Sequence, residues 1–142
     1  MASAGVLVPT QLSPYPIRAL EYVLAQVEEV GQFRETPLPI VGIAVSMYDQ
    51  RSKSFNQSMV DDLNSRLDKL PGGDQISLFS EKSWVPRLNV LSKSQYKGYP
   101  LCAADFDDEL SSQDRSSVEN ALASFEALAQ ELVQKISIEV EN

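Results

Sequence analysis

Apolar residues along the chain switch between two spacings. Within AGVLVPTQ at 4–11, Val6, Leu7 and Val8 form a short continuous run, which predicts a buried strand ended by Pro9. A loop with Pro14 follows. Pro16 suits the first turn of a helix, where a missing N–H is no loss. Ile17, Leu20, Val23, Leu24, Val27 and Val30 then recur at helical spacing until Gly31 offers a stop. Residues 37–48, PLPIVGIAVSMY, are apolar on both faces, as expected of a central strand in a parallel sheet covered by helices. Gly42 inside that run leaves room for a close neighbour.

A second helix is expected from near Ser54, with Gln57 completing a capping box and Phe55, Met59, Leu63, Leu67 and Leu70 as its inner stripe. PGGD at 71–74 breaks it. QISLFS at 75–80 predicts a third, shorter strand. Residues 84–100 read as a loop with one helical turn around 88–92. A last helix is expected from near Ser116, capped by Ser116 and Glu119, with Val118, Leu122, Phe125, Leu128, Leu132 and Ile136 on its apolar face. The alternation of strands and helices predicts an α/β fold, a partial doubly wound, mostly parallel sheet of about three strands flanked by helices. A length of 142 residues suits one domain, with the sheet and motifs in 1–102 and an acidic linker and helix in 103–142.

Composition narrows the chemistry. No apolar run approaches the roughly 20 residues of a membrane span, and MASAGVLVP lacks the basic start of a signal peptide. Cys102, the single cysteine, cannot form an internal disulfide, so a cytoplasmic, reducing home is expected, with the side chain as a small buried hydrophobe. There is no histidine, which removes the Ser-His-Asp class and most zinc sites. The net charge of −8 is uneven: residues 1–102 are balanced, and the whole deficit lies in 103–142. The acidic run Asp105, Asp107, Asp108 and Glu109 does not have EF-hand spacing and reads as a solvated linker.

The candidate chemistry gathers where the strongest strand ends. SMYDQRSKSF presents Tyr48, Asp49, Arg51 and Lys53 together, and ends of parallel strands are where open α/β sheets keep ligand sites. The alternative is a capped strand end, in which Asp49 turns the chain and pairs locally with Arg51. Residues 81–98 add Lys82, Arg87, Lys93 and Lys97 against Glu81 alone, a stretch that would suit phosphate contacts or would simply be solvated. Trp84 and Phe79 are expected in the core.

The order GVLVPTQ, then VGIAVSMYDQR, then ISLFSEKSWVPRLNVLSKSQYKGYP resembles the C-terminal half of the ParA/MinD-type, or Soj-like, partition ATPases. Pro9, Tyr48, Asp49, Arg51, Pro86, Arg87, Leu91, Gly98 and Pro100 fall on that pattern, which covers nearly the whole chain. The resemblance implies a P-loop NTPase-like fold that uses ATP and Mg²⁺ to dimerise, to hold DNA non-specifically at the bacterial nucleoid and to move plasmid or chromosome cargo through a ParB-like adaptor. It implies Tyr48, Asp49, Pro86 and Arg87 beside the nucleotide base, and Arg51, Lys53, Arg87, Lys93 and Lys97 against DNA.

The chain departs from the family in two ways. It lacks the KGGxGKT loop that would wrap the phosphates, so no catalytic residue and no hydrolysis is expected from it alone. Val90 also stands where several relatives have a second basic residue, and Lys93 replaces an acidic one. A truncated gene, an alternative start or a fragment would account for the missing half. A non-catalytic module that binds itself or a full-length ATPase is the alternative function, since a half-sheet leaves an edge to pair.

Overall fold

The computed structural model describes residues 5–34 and 38–140. The outer ends of two expected strands, Ala4 and Pro37, lie outside those residues. Seven elements follow one another: β1 (Val6–Thr10), α1 (Pro14–Gln32), β2 (Ile40–Tyr48), α2 (Lys53–Leu67), β3 (Val85–Pro86), α3 (Asn89–Lys97) and α4 (Ser112–Val140). Short 3₁₀ turns at Gly73–Gln75, Glu81–Ser83 and Leu101–Phe106 join them. The sheet is parallel, in the order β1-β2-β3, so each strand returns beside its predecessor through a helical crossover. The fold is mixed α/β, as the spacing of apolar residues predicts.

Two apolar layers sandwich β2. Ile17, Leu20 and Leu24 of α1 meet Leu63 and Leu67 of α2 over Val8 and Ile43, forming one core. α4 packs on β2 and β3 away from that core. Val41 to Val45 are consequently all buried, because both faces of β2 are covered. Pro9 does not end β1; it pairs with Ala44 inside it. β1 pairs with β2 alone among the described strands, and a residue without an N–H is tolerated on such an edge.

The third strand differs from expectation. Of residues 75–80, only Leu78 bridges to β2, held by Ile43 N–H to Ser77 O at 3.0 Å and Phe79 N–H to Ile43 O at 2.9 Å. The chain then leaves the sheet through the Glu81–Ser83 turn and rejoins it as β3, opposite Ser46 and Tyr48. Glu131 of α4 secures the excursion: its carboxylate accepts the Ser80 N–H at 3.0 Å and the Ser80 hydroxyl at 2.8 Å. Buried Ser83 donates its hydroxyl to Ser80 O at 2.7 Å.

Helix boundaries differ from those expected. α1 begins at Pro14 and runs through Gly31. α2 begins at Lys53, and Gln57 bonds Asp61 instead of closing a box with Ser54. Phe55 is exposed and outside the inner stripe. Residues 89–97 form a full helix, ended by Gly98 in the left-handed conformation, where the reading from sequence gave a loop with one turn. α4 begins at Ser112, because Ser111 and Asp114 cap it reciprocally: Ser111 N–H donates to the Asp114 carboxylate and Asp114 N–H to the Ser111 hydroxyl. Cys102 is exposed on its 3₁₀ turn, contrary to the buried placement expected. Among the described residues, no helix is long and apolar enough to cross a membrane.

Candidate functional site at the carboxyl ends of the strands

Tyr48 closes β2 and Trp84 stands immediately before β3, so the parallel pairing of those strands brings the two rings together. They meet edge to face, centroids 5.6 Å apart at 80°, a geometry favoured by the ring quadrupoles. The Trp84 indole N–H donates to Phe79 O at 3.0 Å, which fixes the ring's direction. Beside this pair lies a cavity of about 470 Å³. Gln50, Lys53, Asn56 and Gln57 line one side, from the turn after β2 and the first turn of α2, and Glu81 lines the other. The volume falls in the range of roughly 300–1,000 Å³ usual for small-molecule sites.

Local hydrogen bonds build the turn that carries these groups. Asp49 accepts the Arg51 N–H at 2.9 Å and the Ser52 hydroxyl at 3.0 Å. Those two bonds, the backbone one foremost, hold its carboxyl below the usual carboxylate range. Asn56, mostly buried, donates from its amide to Asp49 O at 2.8 Å and so ties α2 to the turn. Gln50 reaches the Tyr48 hydroxyl at 3.5 Å. One residue before Tyr48 on β2, Met47 takes φ +55°, a conformation costly for a non-glycine residue. Its sulfur accepts from Gln11 at 3.4 Å, and the Thr10 hydroxyl is buried with no hydrogen-bond partner among the described residues.

The residues singled out from sequence divide sharply. Tyr48 and Lys53 line the cavity. Asp49 is engaged by its own turn and does not line it. Pro86 is buried in β3 and offers no open face; Arg87 is exposed, and its N–H donates to Tyr48 O at 2.9 Å. Arg51 is exposed with no ion pair among the described residues. Trp84 is a cavity wall rather than a core residue, whereas Phe79 is in the core. Gln50, Asn56 and Glu81 individually carry no site signal in the sequence, because amides and single carboxylates are common on turns, and Gln57 reads there only as a capping residue. The only signal was the concentration of Gln and Asn just after a buried strand.

Lys93 and Lys97 face carboxylates. Lys93 Nζ lies 2.9 Å from Asp114, and Lys97 Nζ lies 2.8 Å from Asp107 and 2.6 Å from Glu109. The Tyr99 hydroxyl donates to Asp107 at 2.7 Å and the Arg115 guanidinium to Asp107 O at 3.1 Å. The acidic stretch is therefore a clasp joining α3 to α4, not a solvated linker. Lys97, then the Tyr99 hydroxyl, hold the Asp107 carboxyl down to about 2 from its ordinary 3.8. A depressed carboxylate stabilises the fold above its unfolded value, and that contribution fades as pH falls from 3.8 towards about 2. Asp107→Asn is expected to lower the unfolding midpoint at pH 7 and to match the parent chain near pH 2. Urea titrations at both pH values check this.

A second cavity, about 450 Å³, opens at the opposite end of the sheet between α1, the end of α2 and the start of β2. Its walls are Leu24, Val27, Ile40, Leu70 and Ile76, with Glu21 and Glu28 also lining it and no aromatic ring or cation among its described residues. The strand-end cavity, with its ring pair and amides, has the more selective chemistry. No family model matches the chain, and no curated protein matches it.

Proposed function

We propose that the chain is the C-terminal portion of a ParA-like partition protein, in a P-loop NTPase-like fold, and that its strand-end cavity receives the base of a nucleotide. Its support is the order of motifs along the chain and the position of the cavity; no relative contributes. The observation that carries the reading is the Tyr48–Trp84 ring pair at the carboxyl ends of two adjacent parallel strands, walled by amide side chains. A purine presents a flat apolar face and an edge of donors and acceptors. Aromatic rings suit the face, and Gln50 and Gln57 suit the edge. Lys53 is the single cation on the described wall, too little to cradle a triphosphate. Phosphate and Mg²⁺ would be held by residues outside this chain, and Arg51, Lys53 and Arg87 would make the non-specific DNA contacts, with Lys93 and Lys97 already paired.

Trp84 is the sole tryptophan, so its emission reports this site alone. Titrating adenosine, ADP or ATP into the chain is expected to change that emission saturably, with adenosine and ATP acting alike to within about tenfold because the phosphates find no cradle. Tyr48→Ala is expected to weaken the response at least tenfold. An emission spectrum indifferent to all three at millimolar concentration contradicts the proposal.

The alternative, a non-catalytic module that pairs with another chain, is favoured by a different observation: β1 has one unpaired edge among the described strands, and α1 beside it carries uncovered apolar side chains.

A further inference from the structure

α1 buries only Ile17, Leu20 and Leu24. On its opposite side Tyr15, Tyr22 and Phe33 stand 82%, 78% and 85% exposed. At 100° per residue these three rings fall within about 20° of a single line down the helix. Gln26 sits beside that line, Ala19 and Val30 a little further round, so successive members of the stripe lie three or four residues apart, the spacing by which one helix seats on another. Two exposed rings on a 19-residue helix and a third on its C-cap residue, Phe33, all in one line, exceed the scattered apolar residues of an ordinary surface.

The charges beside the stripe select the occupant. Arg18 and Glu29 lie on the same flank, roughly 40–60° from the line, and neither joins an ion pair among the described residues. A two-fold axis that sets two such helices antiparallel brings like flanks together. Centred between Tyr22 and Gln26, it places Tyr15 opposite Phe33, Tyr22 opposite Gln26, and Arg18 of each copy beside Glu29 of the other. A parallel pair would instead oppose the charged flank to the one holding Val23 and Val30. Bulky Tyr22 would face slimmer Gln26, and Ala19 would face Val30, so large side chains meet smaller ones. We infer that the outer face of α1 is a self-association surface, on which a second copy of this chain docks antiparallel through Tyr15, Tyr22 and Phe33 with reciprocal Arg18–Glu29 pairs.

One helix pair of this length buries on the order of 1,000 Å², the lower limit for a specific interface, so the dimer is weak and concentration-dependent. The inference does not rest on nucleotide binding, since the stripe and the strand-end cavity share no residue.

The test is light-scattering mass on sizing columns with the whole chain, loaded from about 1 to about 500 μM, the range over which a micromolar equilibrium is populated. The mass is expected to rise from 15.7 kDa towards twice that value. Arg18→Glu and Glu29→Arg should each shift the midpoint at least threefold towards monomer, and the two together should restore it. Tyr22→Arg should leave the monomer at every loading, with an unchanged far-ultraviolet spectrum. A parent chain monomeric throughout overturns the inference, as does a dimer that neither charge reversal nor Tyr22→Arg weakens. Failure of the double reversal to restore association overturns the antiparallel geometry and with it the proposed face.

Discussion

Phe79→Ala is expected to cost the fold about 4 kcal/mol, the middle of the range for a buried aromatic truncated to a methyl. Phe79 is one of the largest fully buried side chains. Its ring lies against Gly42 in the middle of β2 and is covered from α4 by Lys135, whose Nζ stands 4.9 Å above the centroid. The backbone of the same residue holds two other parts in place: its N–H donates to Ile43 O, and its carbonyl accepts the Trp84 indole. Removing the ring therefore opens a void between sheet and helix and loosens the support of the strand-end cavity. Chemical denaturation should show the loss in midpoint with little change in slope. Emission of Trp84 in the folded variant should move to longer wavelength as the indole becomes wetter.

Gly42→Ala attacks the same contact from the other side and should cost about 3 kcal/mol, combining overpacking with backbone strain. An added Cβ would stand 2.3 Å from Phe79 Cε1 and 3.2 Å from Ser77 O. The residue also takes φ +156°, which side chains other than glycine rarely adopt. A fall in the thermal midpoint of about 10 °C follows for a domain of this size. Because the two positions touch, the double variant should lose less than the sum of the singles, since the missing ring makes room for the methyl. A full additive loss would show that Phe79 and Gly42 are not in contact.

These two residues also mark how far the sequence could be read. β2 was legible because burial on both faces leaves a continuous apolar run, and Gly42 within it signalled a close approach that Phe79 supplies. The helix stripes of α1 and α2 were legible in Ile17, Leu20, Leu24, Leu63 and Leu67. The third strand was only half legible: Leu78 pairs, but the departure at Ser80 depends on Glu131, far along the chain, which a local pattern does not contain. Only the first turn of α3 was legible, because Val90 and Ser94 are its only buried residues, too few to set a period.

Charge was read worst. Lys93 and Lys97 looked like an open basic stretch because their partners, Asp114 and Asp107, lie 21 and 10 residues away and meet them only after α3 and α4 pack. By residue type alone Trp84 reads as a core residue. Its position at the end of a parallel strand, beside Tyr48, makes it a wall of the cavity. Asp49 was legible as a turn-former, one of the two roles its position allowed.

The central claim is that a nucleotide base enters between the Tyr48–Trp84 pair and the first turn of α2. The most direct measurement is an amide and indole nitrogen–proton spectrum of the chain during titration with ADP. The Trp84 indole and the side-chain amides of Gln50, Asn56 and Gln57 are expected to shift together along one saturation curve. Shifts confined to the opposite cavity around Leu24, Ile40 and Leu70, or none at millimolar ligand, would contradict it.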